Sequence, residues 1–120
     1  MTRTLELSKL VVMNMQELSW KSEDVADLLK AMANSHRLLI LCELHNGERA
    51  VSALEQVVPI SQSALSQHLA KLRECGIVKT RRDAQTIYYS LADARVASLM
   101  GNLQRLFCAP NKTKASRKKS

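Results

Sequence analysis

The chain has 120 residues, 46% of them apolar and only 3% aromatic, and a formal net charge of +7 at pH 7. That length suits one domain with a modest core and excludes a second of similar size. No run approaches the roughly 18 to 20 apolar residues of a membrane span, and the 3 cysteines do not make a disulfide framework.

The opening Met1-Thr2-Arg3-Thr4-Leu5-Glu6-Leu7 mixes charged and apolar residues, unlike a signal peptide, and a cytoplasmic location is expected. Leu7, Leu10, Val11, Met15 and Leu18, with Asn14 in line, form a stripe that predicts a first amphipathic helix of the kind that packs on a partner subunit. Ser22 or Glu23 opens a second helix, with Val25, Leu28, Leu29 and Met32 inside. Asn34 or Ser35 caps a third, whose Leu38, Leu41 and Cys42 fall at i, i+3, i+4, and Asn46-Gly47 ends it. Ser52-Ala53-Leu54-Glu55 has the form of a capping box opening a short helix that ends near Val58.

The next helix carries the most information. Pro59 breaks what precedes it, and the hydroxyl of Ser61 suits an N-cap. Ile60 and Leu65 have the spacing of a hydrophobic staple, and Leu65, Leu69 and Leu72 share one stripe. At about 100° per residue, Ser63, Ser66, Gln67, Ala70 and Lys71 point away from that stripe. Gly76 suits the left-handed position that ends the helix just after Cys75. Alone, this polar face fits a solvated amphipathic helix as well as one made to enter a DNA groove.

Its neighbours favour the groove. A short helix, a turn and a second helix with an exposed polar half match the helix-turn-helix arrangement. Ile77 to Arg82, a turn at Asp83-Ala84-Gln85, and Thr86 to Leu91 then read as a hairpin with Lys79, Arg81 and Arg82 at or near its tip. The expected fold is mainly α with a small β-hairpin, a winged helix-turn-helix, and the expected partner is double-stranded DNA. Gln62, Ser63, Ser66 and Gln67 are the candidates for base edges; His68, Lys71, Arg81 and Arg82 are the candidates for phosphates or the minor groove.

Asp93 begins a last helix on which Val96, Leu99, Met100, Leu103, Leu106 and Phe107 recur at helical spacing. Gly101 within it costs about 1 kcal/mol relative to Ala, which suggests a close helix approach at a dimer seam. Pro110 closes the ordered region, so residues 1–108 form the domain with its dimerisation helices and 109–120 a basic disordered tail. Charge is unevenly spread: residues 1–60 hold 6 basic and 8 acidic side chains, residues 61–91 hold 5 and 2, and the tail holds 5 and none. Positive charge thus gathers on the reading head and the tail, as phosphate neutralisation requires. The tail fits a solubilising end as well as a DNA contact.

With Lys30-Ala31-Met32-Ala33-Asn34-Ser35-His36-Arg37-Leu38-Leu39-Ile40-Leu41 ahead of the reading helix and Leu69-Ala70-Lys71-Leu72-Arg73-Glu74-Cys75-Gly76-Ile77-Val78 within and after it, the chain resembles the ArsR/SmtB family of bacterial repressors over roughly residues 20 to 107. The resemblance implies a homodimer joined through its first and last helices, which binds a palindromic operator and releases it on sensing an inducer. The wing departs from the family pattern, which often has Gly at the turn where this chain has Asp83-Ala84-Gln85.

Many members of the family sense metals, but the usual ligands are missing here. Ala50 and Ser52 stand where a thiolate pair would begin the first helix of the helix-turn-helix. The zinc motif of the last helix becomes Asp93-Ala94-Arg95 with no later His; an Arg cannot ligate a cation, and Asp93 reads better as an N-cap. His36, His45 and His68 lack ligand partners at helical spacing and read as packing or hydrogen-bonding residues. No metal and no cofactor are expected, and no pairing of nucleophile and base suggests an enzyme.

The thiols remain. Cys75 lies where the family commonly has a small residue and reads as a small buried hydrophobe; Cys42 lies on an apolar stripe, and Cys108 ends the last helix and should be accessible. Their spacing does not itself bring positions 42 and 108 together. The resemblance does: a sulfide- and persulfide-responsive branch of the family carries cysteines at both positions. It implies that the reduced dimer binds DNA and that reactive sulfur species or oxidants release it by joining Cys42 and Cys108 in a disulfide or polysulfide bridge. A metal-responsive repressor with an unrecognised site and a winged-helix protein-interaction module are the rival readings.

Overall fold

A computed structural model describes residues 21–108, so the predicted first helix and the basic tail lie outside the described residues. The elements run α1 (Ser22–Met32), α2 (Ser35–His45), β1 (Arg49–Ala50), α3 (Val51–Val57), α4 (Gln62–Glu74), β2 (Val78–Asp83), β3 (Thr86–Leu91) and α5 (Ala94–Phe107).

Local chemistry sets most of the helix ends. The Asn34 side chain accepts the backbone N–H groups of His36 and Arg37, each at 3.0 Å, two of the donors that the first turn of α2 leaves unpaired. Arg37 then reaches back across the junction, its Nε donating to the Ala31 carbonyl at 2.5 Å and its Nη2 to that of Lys30 at 3.4 Å. The Ser61 hydroxyl accepts the Ala64 N–H at 3.1 Å and so opens α4. Gly76, at φ 74°, closes the same helix: its N–H reaches the Arg73 carbonyl at 3.0 Å, and the Ile77 N–H reaches that of Leu72 at 3.0 Å. This is a Schellman motif, and its usual apolar contact is present because Leu72 and Ile77 are both fully buried.

The core gathers where these ends meet. Leu65, Leu69 and Leu72 of α4 are at most 2% exposed and join one cluster with Ile40, Leu41 and Leu44 of α2, Leu54 of α3, Ile77, Val78, and Val96 and Met100 of α5. Full burial of a leucine is worth about 1.5–3 kcal/mol, so the α4 stripe alone anchors the helix firmly.

Several expectations need correction. The sheet has three strands in the order β1-β3-β2, not two: Arg49 and Ala50 pair with Tyr89 and Tyr88 of β3. A two-residue strand is too short to show alternation in sequence. By holding Ala50 extended, it makes that residue the N-cap of α3, with no side-chain bond, so Ser52 lies inside the helix and forms no capping box. Leu29 is 48% exposed and Leu106 and Phe107 are more than 70% exposed, so the apolar stripes of α1 and α5 extend past the core of the described residues. Within the subunit Gly101 already has a close helix neighbour: a Cβ there would stand 3.3 Å from His45 Nε2 of α2.

The wing turn is tighter than expected. Asp83 still pairs with Thr86, which leaves Ala84 and Gln85 to reverse the chain, and Ala84 sits at φ 61°. A residue with a Cβ is disfavoured there by roughly 1–2 kcal/mol relative to right-handed backbone, whereas Gly is not. Ala84→Gly is therefore expected to raise stability by up to about 1 kcal/mol, the larger chain entropy of unfolded Gly offsetting part of the relief. Thermal or urea unfolding checks this; a lower melting temperature would refute it.

Candidate DNA interface and thiol pair

Burial of its leucines fixes which residues α4 presents. At about 100° per residue, Ser63 and Gln67 lie opposite the Leu65–Leu69–Leu72 stripe and are exposed. Gln62 and Ser66 turn toward an open cleft between α4 and the wing, where Gln85, Ile87 and Tyr89 form the other side. Lys71 is exposed on the opposite flank, near Asp27 and Lys30 of α1. The structure therefore brings Gln62, Ser63, Ser66, Gln67 and Lys71 onto one outward surface. Arg73 belongs with them and was missed: it lies in line with Gln62 and Ser66, is exposed beside the same cleft, and has no ion pair among the described residues. The available signal was helical spacing, since Gln62, Ser66 and Arg73 fall at i, i+4 and i+11 on one face.

His68 is placed differently. It is half-buried between α2 and α4, with Nδ1 3.3 Å from Arg37 Nη1 and its ring 5.9 Å from that of His36. Burial, then the charge of Arg37 and then His36, hold its pKa below the ordinary 6.5. A neutral ring with its proton on Nε2 accepts from Arg37 at Nδ1. His68 thus ties the reading helix to the start of α2.

The two wing arginines also divide. Directly paired strand residues share a face, so Arg82, opposite Ile87, stands on the cleft side, and Arg81, opposite Tyr88, on the other. The guanidinium of Arg81 lies 4.5 Å from the centre of the Tyr88 ring. Its Nε and Nη2 donate to the two carboxylate oxygens of Glu48 at 3.0 and 2.8 Å. That bidentate bond holds the Glu48 pKa below its usual value and raises that of Arg81. Arg82 has no such partner among the described residues.

The cysteines occupy three environments. Cys42 is half-buried, and its Sγ accepts from Gln104 Nε2 of α5 at 3.3 Å. Cys108 caps α5 and is exposed, as expected, with its N–H still bonded to the Gln104 carbonyl at 2.8 Å. Cys75 is exposed at the end of α4, not the buried hydrophobe its position suggested, because the chain turns into β2 and buries Ile77 in its place. Among the described residues no three His, Cys, Asp or Glu side chains gather to hold a metal. Asp93 is an N-cap, accepting the Arg95 N–H at 2.9 Å and pairing with its guanidinium at 2.7 Å, bonds that hold its pKa down at about 2.

A short helix, a tight turn, a helix with a polar outer face and a three-stranded sheet whose hairpin carries basic residues define a winged helix-turn-helix DNA-binding protein. Residues 34–80 match the family model described as bacterial regulatory protein, arsR family. The chain is 48% identical to the transcriptional activator HlyU of Vibrio cholerae, over 82% of this chain and 92% of that one. It is 42% identical to the biofilm growth-associated repressor of Xylella fastidiosa, over 83% and 88%. The solved structure of reduced HlyU aligns with a TM-score of 0.73 at 48% identity, covering 78% of this chain and 98% of that one. A homodimeric winged helix-turn-helix DNA-binding domain from Mycobacterium bovis aligns at 0.65 and 35% identity, covering 73% and 82%. The chain belongs to the ArsR family of bacterial regulatory proteins. It is a transcriptional regulator, and the relatives named are regulators rather than enzymes.

The His68 contact has a pH signature. Because its folded pKa lies below the unfolded value, its contribution to stability is complete above about pH 6.5 and is lost as pH falls through the lowered pKa. Unfolding measured from about pH 7 down to 5 is expected to show falling stability, and His68→Gln to flatten that limb. An equally steep limb in the variant would assign the pH dependence elsewhere.

Proposed function

We propose that this regulator is a homodimeric repressor that holds palindromic operator DNA while Cys42 and Cys108 are reduced, and leaves it when they are joined. The observation that carries this reading is where Cys42 points. Its sulfur meets Gln104, the residue one turn before Cys108 on the facing helix. Helices α2 and α5 run antiparallel at this contact, with Cys42 opposite Gln104 and His45 against Gly101. Cys108 then lies about 6 Å further along α5.

A disulfide needs Cα atoms about 4.4–6.8 Å apart, so the last turn of α5 has to shift or unwind to close the bond. Cys108 already has non-helical backbone angles, φ −120° and ψ 33°. The shift would carry the exposed Leu106 and Phe107 with it, apolar residues suited to a partner subunit. Homodimers are known for the Mycobacterium bovis relative, and HlyU has been described in a reduced form. Both support the reading.

The chemistry balances with an organic persulfide as oxidant. The Cys42 thiolate attacks the outer sulfur of the persulfide, which breaks its S–S bond, expels a thiolate and leaves a persulfide on Cys42. The Cys108 thiolate then attacks the Cys42 sulfur, expelling hydrosulfide and forming the bridge. The two electrons given up by the cysteines leave on the thiol and hydrogen sulfide.

On DNA, Ser63 and Gln67 read base edges with Gln62 and Ser66 beside them, and Lys71, Arg73 and Arg82 meet phosphates. Moving the bound fraction from 99% to 1% takes about 5.5 kcal/mol of differential affinity, which the loss of several phosphate contacts in each subunit supplies. Gln67→Ala is expected to weaken operator binding by about 1–3 kcal/mol more than random-DNA binding; equal losses on the two DNAs would rule out a base contact.

The decisive experiment compares operator binding by the parent protein, Cys42→Ser and Cys108→Ser, first under reductant and then with an organic persulfide. All three should bind when reduced, and only the parent should be released by the persulfide and recover with reductant. Release of both single variants would exclude the two-thiol switch.

A further inference from the structure

The backbone brings Glu48 to the wing by a specific route. Gly47, at φ 136°, turns the chain out of α2, and pairing of β1 with β3 sets the following Arg49 and Ala50 against Tyr89 and Tyr88. Continued by one residue, that register sets Glu48 opposite Ser90, on the face of the sheet that also carries Tyr88 and its direct partner Arg81. The result is a three-part contact: carboxylate, guanidinium and ring, with Arg81 lying over Tyr88 and both oxygens of Glu48 taken by Nε and Nη2. The remaining nitrogen, Nη1, faces Asp83 Oδ2 at 4.0 Å. Strand alternation puts Lys79 on this same side.

A guanidinium fork suits a carboxylate and a phosphate alike, and here the carboxylate already fills it. A phosphate could take the fork only by displacing Glu48, whose negative charge would then stand unpaired beside the DNA backbone. Arg82, on the other face, meets no such competitor.

We propose that Glu48 is a positioning residue for DNA binding: it holds Arg81 against Tyr88 and withholds it from the phosphates, so that Arg82 carries the wing contact and Glu48 limits the affinity. The inference rests on the DNA-binding reading above. It makes the basic wing weaker toward DNA than its residue count implies, and it makes removal of an acidic residue a gain of function.

The test is the salt dependence of binding to a random-sequence duplex by the full chain, for the parent, Glu48→Gln, Arg81→Met and the double variant. Each added phosphate contact steepens the slope of log K against log salt by about 0.9. Glu48→Gln is expected to steepen it by about that amount per subunit and to raise affinity about tenfold at low salt. Arg81→Met alone should leave the parent slope unchanged, and the double variant should return to it. A shallower slope for Arg81→Met in the parent background would show that Arg81 already meets a phosphate and would overturn the proposal. So would a Glu48→Gln slope equal to that of the parent, with Glu48→Ala giving the same result. Absence of DNA binding by the parent at every salt concentration would instead be a failure of the DNA-binding reading.

Discussion

Burial of the three α4 leucines is the constraint on which the rest of the molecule depends. Leu65, Leu69 and Leu72 enter a cluster supplied by every other described helix, so α4 cannot roll about its axis without exposing at least one of them. Both ends of the helix are held as well, by the Ser61 hydroxyl at the start and the Gly76 Schellman motif at the end. Orientation of Ser63 and Gln67 toward solvent therefore follows from what lies behind them. Since the same glycine turn delivers Ile77 into the core and Val78 into β2, the wing takes its position from the reading helix. Helix and wing form one rigid surface because they share one set of buried side chains.

Charge on that surface is less uniform than composition suggests. A formal +7 describes the whole chain, but the cations of the described residues differ in how free they are. Arg37 is committed to backbone carbonyls and His68, Arg81 to Glu48 and Tyr88, and Arg49 to Glu43 at 3.4 Å. Lys71, Arg73 and Arg82 stand without ion pairs among the described residues. Exposed pairs contribute little to stability. Their larger effect is to decide which side chains are available to another molecule.

The same distinction separates what is legible in the sequence from what is not. Signals confined to a few neighbouring residues can be read directly: Asn34, Ser61 and Asp93 cap the helices they are expected to cap, Gly76 ends α4, and the leucine stripe is buried. Signals that depend on distant residues cannot. The strand at Arg49–Ala50 exists only because β3 lies beside it, and that pairing overrides the capping box written at Ser52. Gly101 is explained by His45, far away in the chain. His68 and Arg81 suit a phosphate by charge, yet each also meets a partner that the local sequence does not announce, Arg37 and Glu48, 31 and 33 residues away. The outward face of α4 is readable for the opposite reason, since a helix that buries one stripe needs no partner to determine the other.

Helix α2 joins the two halves of the problem. It packs against both α4 and α5, and its faces are divided accordingly. Ile40, Leu41 and Leu44 enter the common core with the α4 leucines, Arg37 holds His68 near the middle of the reading helix, and Cys42 and His45 face α5. A bond drawn between Cys42 and the end of α5 would therefore act on the element that supports the reading helix from behind. Because the core is close-packed, α2 cannot absorb such a pull by local compression; it must be met by movement of the last turn of α5 or by displacement of α2 itself. The first route alters the apolar end of α5 and leaves the reading surface intact, and the exposed, non-helical position of Cys108 makes it the less costly one. Control of DNA binding through these thiols would then lie in how two intact reading surfaces are spaced, with each surface unchanged.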